Sequence, residues 1–226
     1  MTSASTNLLA TADDPLAQSA PVRIAILAVG TGNLGSVINA LTHLGSSPIL
    51  IDDPNALGDA RGIVLPGVGS FADGMQRLRS GGWVEPLRAA VTSTPILGIC
   101  LGMQLLAERG VEGGDTEGLG LVPGTVERLP ASPGVRIPHV GWNDVEMIAP
   151  SRLIEPSKSP RAFYFVHSYA LSADTPGVTG VTHHGSTFAA TIEHGNAFGT
   201  QFHPEKSHKS GLALLTNFLE VCRRPC

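Results

Sequence analysis

The sequence is poor in charged residues and has little excess of either sign. Only 15% of its 226 residues are Asp, Glu, Lys or Arg, and fifteen basic residues against nineteen acidic ones give a net charge of −4. Disordered chains combine high net charge with few hydrophobic residues, so a hydrophobic content of 42% excludes that class and, with so few charges, a coiled coil as well. Because there is no basic surplus, the composition gives no argument for a nucleic-acid partner.

Cysteines are also few, and long apolar runs are missing. Cys100, Cys222 and Cys226 form an odd, sparse set, which excludes a disulfide framework and fits a reducing compartment, so we expect a cytoplasmic protein. The longest apolar stretch, residues 95–107, is shorter than the ~20 residues that a membrane-spanning helix needs. We therefore expect no transmembrane helix.

The first twenty residues lack the features of a targeting signal. The first basic residue of the chain is Arg23, whereas a secretory signal needs a basic start and an apolar run. Residues 1–20 are rich in Ala, Ser, Thr and Asp, which do not build a packed element, so we predict a flexible leader there. No linker or repeat interrupts the rest, so we predict one domain over residues 21–226.

Strand and helix patterns alternate in the first half of the chain. Short apolar runs predict buried strands at residues 23–29, 48–52, 62–66 and 95–99, and helical patterns cover residues 34–44, a segment beginning near Phe71, and residues 101–109. This alternation predicts an α/β fold with a mostly parallel central sheet flanked by helices. After Gly110, short strand-like segments separated by Gly and Pro predict additional short antiparallel strands, and a last helix is predicted over residues 211–222.

A cysteine lies where a predicted strand meets a predicted helix, in GICLGMQ (98–104). Gly98 and Gly102 flank Cys100, and a sharp strand-to-helix turn needs small neighbours of this kind. Such a turn projects the side chain out of the sheet and places it at a helix N-terminus, where the helix dipole favours a thiolate and backbone N–H groups can bind an oxyanion. The alternative interpretation is that Cys100 is a small buried apolar residue.

Two further segments carry groups that suit catalysis. In TQFHPEK (200–206), His203 and Glu205 are two residues apart, so on an extended backbone both side chains point the same way and the carboxylate can orient the imidazole. The alternatives are a solvated His–Glu pair and two metal ligands, and the other histidines show no metal-ligand spacing. In LPGVGSF (65–71), two glycines follow a predicted strand and allow close approach to a ligand, although an ordinary turn has the same pattern.

Together these segments resemble the class I, or triad, glutamine amidotransferases, whose signature is a cysteine in G-x-C-x-G with a distant H-P-E. The narrower resemblance is to the glutaminase subunits of imidazole glycerol phosphate synthases, which belong to histidine biosynthesis. It is carried by GTGNLGSV (30–37), LPGVGSF (65–71), GICLGMQLL (98–106), GLGLVPGTVERL (118–129), PHVGWND (138–144), FYFVHSY (163–169) and TQFHPEKS (200–207). The predicted leader has no counterpart in the usual pattern.

The resemblance implies a flavodoxin-like glutamine amidotransferase fold and a role for each matching residue. Cys100 is the expected nucleophile, His203 the acid and base, and Glu205 the residue that orients His203. The oxyanion is expected to bind the backbone N–H of Leu101 and one at Val68 or Gly69. Expected glutamine contacts are Gly67, Gln104, Ser168 and Tyr169, and residues expected to face a partner are His139, Trp142, Asn143, Tyr164 and Lys206.

The implied partner is a (β/α)8-barrel cyclase subunit, so the resemblance predicts one half of a heterodimer. The cyclase would use the released ammonia to make imidazole glycerol phosphate and an aminoimidazole carboxamide ribotide, and the resemblance implies no cofactor and no metal. Three alternatives stay open: a related enzyme, namely a glutaminase of another synthase or a cysteine peptidase of this fold; a non-catalytic interaction subunit; and a histidine-based metal-binding protein. The subfamily motifs argue against the first, and the presence of Cys100, His203 and Glu205 argues against the second.

Overall fold

The computed structural model describes residues 20–28, 34–155 and 161–224. The helices are α1 (Leu34–His43), α2 (Phe71–Ser80), α3 (Val84–Ala90), α4 (Leu101–Leu105) and α5 (His208–Arg223), with short 3-10 turns at Pro54–Leu57 and Pro204–Lys206. The strands are β1 (Arg23–Leu27), β2 (Ser47–Ile51), β3 (Gly62–Gly67), β4 (Ile96–Cys100), β5 (Arg109–Gly110), β6 (Thr116–Glu117), β7 (Thr125–Arg128), β8 (His139–Met147), β9 (Arg161–His167), β10 (Tyr169–Leu171), β11 (Val178–His183), β12 (Thr187–His194) and β13 (Ala197–Thr200).

The larger sheet is parallel in one half and antiparallel in the other. Its strand order is β2-β1-β3-β4-β13-β12-β11-β8-β9, and the first five strands pair in parallel. From β13 onwards every neighbour is antiparallel. A smaller sheet has the order β10-β7-β5-β6. The predicted α/β fold is confirmed, and the antiparallel strands extend the parallel sheet itself.

Helices cover both faces of the parallel half. Along β1, Ile24 and Ile26 face the cluster that contains α1 and α5, whereas Ala25 and Leu27 face the cluster of α2, α3 and α4. Successive side chains of a strand point to opposite faces, so a strand buried on both sides reads as a continuous apolar run. This is why the first-half strands were recognisable from their sequence.

Some elements differ from the prediction. Helix α4 ends at Leu105 and does not continue to residue 109, because the carbonyls of Leu105 and Leu106 accept hydrogen bonds from the segment that contains Leu119 and Val122. Helix α3 and strand β8 were not predicted, and α5 begins three residues before the predicted helix. The GTGN segment and residues 1–19 of the predicted leader lie outside the described residues.

Strand β9, the edge strand of the larger sheet, pairs with β8 and ends next to Cys100 at the end of β4. The two strands pair in register over seven residues, with Trp142 opposite Tyr164. The Tyr164 carbonyl accepts a hydrogen bond from the His203 N–H at 2.9 Å, and the Val166 carbonyl lies 3.7 Å from the Cys100 sulfur. The last residues of β9 therefore form one wall of the site around Cys100. No helix among the described ranges is long and apolar enough to cross a membrane.

Candidate active site

Cys100 occupies a strained turn between β4 and α4. It is the last residue of β4, it pairs with Gly67 of β3, and its φ of +55° lies in a region that residues other than glycine rarely adopt. Strain of this kind is found where a structure holds a functional side chain in place. The turn predicted from the two flanking glycines is present.

The glycines of this turn allow two backbones to touch. A Cβ at Gly102 would overlap the carbonyl oxygen of Leu65 on β3, and a Cβ at Gly98 would lie 2.6 Å from the Gly102 carbonyl. Neither contact can be relieved by moving a side chain, since the atoms belong to the backbone of the sheet and of α4. Any residue with a Cβ would separate α4 from the sheet and displace Cys100.

We expect Gly102→Ala to lower the free energy of unfolding by about 3 kcal/mol or more, because overpacking against backbone cannot relax. Chemical denaturation followed by circular dichroism would measure it. The matched control is Gly74→Ala in α2, where the added Cβ meets only side-chain methyl groups, those of Leu105 at 3.0 Å and of Leu101 at 3.4 Å, and helix propensity improves by about 1 kcal/mol. Equal stability losses in the two variants would contradict this account of the turn.

His203 and Glu205 form a buried pair beside Cys100. Nδ1 of His203 lies 2.9 Å from Oε1 of Glu205, and both side chains are almost completely buried. The Cys100 side chain also raises the pKa of His203, and both residues line the same cavity. Oε2 of Glu205 is buried and receives no hydrogen bond from any residue in the described ranges, so a proton on His203 is the charge that balances this carboxylate.

The electrostatics keep His203 protonated. Burial lowers the pKa of His203, but the hydrogen bonds and charges of Cys100 and Glu205 outweigh it and raise the pKa from 6.5 to about 9. At neutral pH the site therefore holds an imidazolium between a sulfur and a carboxylate. This arrangement suits a cysteine nucleophile whose leaving group needs a proton.

A cavity of about 240 Å³ opens beside Cys100. Its lining includes Val68, Gly69 and Leu101, whose N–H groups were predicted to bind the oxyanion, together with His203 and Lys206. Gly69 has a φ of +104°, which lets the loop after β3 turn its peptide groups towards the cavity. The structure thus brings the three predicted oxyanion residues to the wall of the cavity that Cys100 also lines.

The residues predicted to contact glutamine divide into three groups. Ser168 and Tyr169 line the cavity. Gln104 also lines it, but its amide nitrogen already donates to the Tyr169 carbonyl at 2.7 Å and to Oε1 of Gln201 at 3.0 Å. Gly67 does not line this cavity, because it is buried against the first turn of α4, where a Cβ would lie 3.0 Å from the Gly102 nitrogen.

Sequence reasoning missed three polar residues of the site. Glu112 lines the cavity, His167 lines it from the end of β9, and buried Gln201 places its amide nitrogen 3.9 Å from the Cys100 sulfur. Burial raises the pKa of Glu112, and a hydrogen bond from the Phe71 N–H opposes this rise. Gln201 and His167 stood within quoted motifs, while Glu112 had no sequence signal.

The residues predicted to face a partner do not all reach the surface. Trp142 is 49% exposed, and Tyr164 lies opposite it on the same face of the hairpin; Lys206 is exposed at the cavity rim. The His139 side chain, also expected to face the partner, is buried in this structure and hydrogen bonded to His167. The Asn143 amide likewise points inward, to His139 and to the His183 carbonyl.

Metal ligation was one alternative for the histidines. Within residues 20–28, 34–155 and 161–224, no three His, Cys, Asp or Glu side chains come close enough to hold a metal ion. His203 instead uses Nδ1 for the Glu205 carboxylate. The described part of the site therefore holds a cysteine and a histidine at a cavity wall, with a carboxylate bonded to the histidine.

Comparison of the sequence with known proteins points to one family. Residues 29–222 match the family described as Glutamine amidotransferase class-I. The chain is 48% identical over 202 residues to imidazole glycerol phosphate synthase subunit HisH of Moorella thermoacetica, covering 88% of this chain and 95% of that protein. It is 44% identical over 198 residues to the protein of the same name from Xylella fastidiosa, covering 88% and 97% respectively.

Comparison of the structure gives the same fold. A crystal structure of a glutamine amidotransferase aligns with a TM-score of 0.69 at 22% identity, covering 88% of this chain and 98% of that one. The structure of PurLQS from Thermotoga maritima aligns with a TM-score of 0.67 at 21% identity, covering 89% and 99%. At these identities the likeness concerns the fold alone.

Proposed function

The chain belongs to the class-I glutamine amidotransferases, and from this premise we propose that it hydrolyses glutamine to glutamate and ammonia. It does so as the glutaminase subunit of an imidazole glycerol phosphate synthase in histidine biosynthesis, the enzyme whose subunit name its 44–48% identical relatives carry. The observation that supports the chemistry is that Cys100 lines the same cavity wall as His203, which is paired with the buried carboxylate of Glu205.

In the proposed reaction the Cys100 sulfur attacks the side-chain amide carbon of glutamine. The carbonyl oxygen becomes an oxyanion, and the C–N bond breaks as His203 gives its proton to the departing nitrogen, which leaves as ammonia. The resulting thioester is then hydrolysed by a water molecule that His203 deprotonates, which releases glutamate and restores Cys100. Glu205 holds the ring of His203 in one orientation through both steps.

The oxyanion is assigned to backbone donors. The Leu101 N–H stands at the start of α4, and the Val68–Gly69 peptide belongs to the loop after β3, which lines the same cavity. Losing one donor of this kind typically lowers the rate by about 10²–10³-fold. A loop glycine with positive φ lets this peptide take more than one orientation, which supports a glutaminase whose activity depends on the state of the loop.

Glu112 is proposed to bind the α-ammonium group of glutamine, because it brings a carboxylate to the cavity wall. We expect Glu112→Gln to raise KM for glutamine by about 10- to 100-fold, with a much smaller effect on kcat, since a charge-assisted hydrogen bond to bound substrate is lost. Steady-state glutamate release would measure this change. Glu127→Gln, on the exposed side of β7, is the control, and an unchanged KM in Glu112→Gln would contradict the assignment.

The proposed partner is the cyclase subunit of the synthase, for which we propose a (β/α)8-barrel fold and a heterodimer. Val140, Trp142, Tyr164 and Val166 form an apolar face on the β8–β9 hairpin, and Val166 also lines the cavity. A partner bound there would sit next to the site of ammonia release. Internal transfer suits the chemistry, since ammonia in water at pH 7 is mostly ammonium, which is not a nucleophile. We place the complex in the cytoplasm, consistent with the sparse cysteines.

Glutamate release from glutamine tests the proposal, measured for the chain alone, with the cyclase subunit, and with the cyclase and its ribotide substrate. Release that appears with the partner and its ligand is the expected result. A folded chain that binds the cyclase but releases no glutamate under any condition would instead be a silent interaction subunit. Strong release by the chain alone would indicate a free-standing glutaminase, and an absence of cyclase binding would point to another synthase.

A further inference from the structure

A hydrogen-bond relay of two buried histidines and a half-buried asparagine reaches the glutamine cavity from strand β8. Nδ1 of His167 lies 2.9 Å from the Tyr169 carbonyl oxygen, and its Nε2 lies 3.1 Å from Nδ1 of His139. Nε2 of His139 lies 3.2 Å from the amide nitrogen of Asn143. The glutaminase mechanism uses none of these three polar side chains, although His167 lines the cavity.

The hydrogen-bond partners fix the tautomer of each ring. A carbonyl oxygen only accepts, so His167 carries its proton on Nδ1 and presents a lone pair at Nε2. That lone pair requires a proton on Nδ1 of His139, whose Nε2 then accepts from the Asn143 amide. Asn143 is fixed in turn, because its nitrogen also donates to the His183 carbonyl at 2.9 Å. Every donor in the relay thus points towards the cavity.

Burial keeps the relay neutral. It lowers the pKa of His167 to about 3 and that of His139 to about 4, with a smaller contribution from the neighbouring His184 ring. A second proton on His167 would set its Nε2–H against the Nδ1–H of His139 at 3.1 Å, and a second proton on His139 would set its Nε2–H against the Asn143 amide at 3.2 Å. The neutral rings therefore keep one direction of donation.

The Tyr169 carbonyl is where the relay meets the catalytic helix. Strand β10 pairs with β7, and the carbonyl just before β10, that of Ser168, accepts a hydrogen bond from the Leu129 N–H at 2.9 Å. Successive carbonyls of an extended strand point in opposite directions, so the Tyr169 carbonyl points away from β7. The Tyr169 carbonyl accordingly receives hydrogen bonds from His167 at 2.9 Å and from Gln104 of α4 at 2.7 Å. This junction joins the two cavity walls, one made by β9–β10 and the other by α4, which follows Cys100.

We propose that His167 is a positioning residue for glutamine binding, because its Nδ1–H and the Gln104 amide together hold the Tyr169 carbonyl and so fix the Ser168–Tyr169 wall against α4. The inference rests on the proposed glutaminase function. In this role His167 does not contact the reacting atoms, so loss of its hydrogen bond weakens the binding of the substrate and of the transition state about equally. Such a loss raises KM and changes kcat little.

The test compares His167→Leu with His167→Asn. Leu and Asn have the same branched arrangement of four side-chain heavy atoms, so both replace the ring by a similar shape, but only Asn keeps an N–H near the position of Nδ1. We expect His167→Leu to raise KM for glutamine by about 10- to 100-fold with kcat within about threefold, and His167→Asn to restore KM to within about threefold of the wild type. Thermal unfolding of both variants reports the shared packing loss.

The outcomes separate this inference from the proposed function. An unchanged KM in His167→Leu, or equal KM values in the two variants, would overturn the positioning role while wild-type glutamate release still supports the glutaminase. A wild type that releases no glutamate with the cyclase and its ligand would instead overturn the proposed function. If His167→Leu does not fold, 15N NMR of the histidine rings in the wild type decides: protons on Nδ1 of His167 and His139 are expected, and a proton on Nε2 of His167 would refute the relay.

Discussion

Replacing Cys100 by alanine is expected to lower kcat/KM for glutamine by at least about 10⁴-fold, to the limit of detection. No thioester can form without the sulfur, and removal of a catalytic nucleophile usually costs as much as removal of the whole triad. The backbone turn and cavity would remain, since Cys100 contributes only a small side chain to the packing around the end of β4. Glutamate release in the presence of the cyclase and its ribotide measures the effect.

Two controls make the Cys100→Ala result specific. Cys222→Ala removes the other described buried cysteine, which lies in α5 against Gly62 and not in the cavity, so it should keep glutamine-dependent activity. Added ammonium salt at high pH should restore product formation by the Cys100→Ala chain with its cyclase, because only the ammonia source has been lost. Glutamate release that persists in Cys100→Ala would mean that a different group is the nucleophile.

The local geometry around Cys100, His203 and Glu205 could be predicted because much of it is encoded by residues close together in the sequence. Gly98 and Gly102 flank Cys100 closely in the sequence, and the clash that a Cβ at Gly98 would cause is with Gly102, four residues away. The close approach of Gly102 to Leu65 on β3 is the part of the turn that depends on the fold. His203 and Glu205 are likewise two residues apart and meet directly. The buried strands of the parallel half were predictable for a related reason, because burial on both faces leaves an uninterrupted apolar run.

The remaining features depend on contacts between distant parts of the chain. Glu112 reaches the cavity because the first turn of α2 holds it: the Ala72 N–H binds its carbonyl and the Phe71 N–H binds its carboxylate, both at 3.2 Å. Strand β8 contains Gly, Asn and Asp, which are depleted in strands, and it becomes extended through its full pairing with β9. The burial of His139 also depends on this pairing, because the register of β8 decides which face of the sheet each of its side chains occupies. The PHVGWND motif by itself does not reveal that face.

The second large effect is expected for Glu205→Gln, which should lower kcat by about 10³–10⁴-fold, the usual cost of losing the carboxylate of a triad. The amide removes the charge that Oε1 places 2.9 Å from Nδ1 of His203.

The Glu205→Gln substitution also changes the dependence of kcat/KM on pH. In the wild type, kcat/KM should fall as the pH rises through about 9, because His203 then loses the proton that the leaving ammonia needs. The residual activity of Glu205→Gln should begin to fall at a lower pH.

The free energy of unfolding should also depend on the titration of His203. The pKa of His203 in the folded chain, about 9, lies above the ordinary value of 6.5, so the protonated ring stabilises the fold fully below about pH 6.5, and this contribution is lost as the pH rises through about 9. The stability difference between the wild type and Glu205→Gln should therefore shrink across that range. Glu220→Gln, an exposed carboxylate of α5 paired with Arg223, is the control and should change neither profile. If activity falls at the same alkaline pH in the wild type and in Glu205→Gln, then Glu205 does not set the protonation of His203.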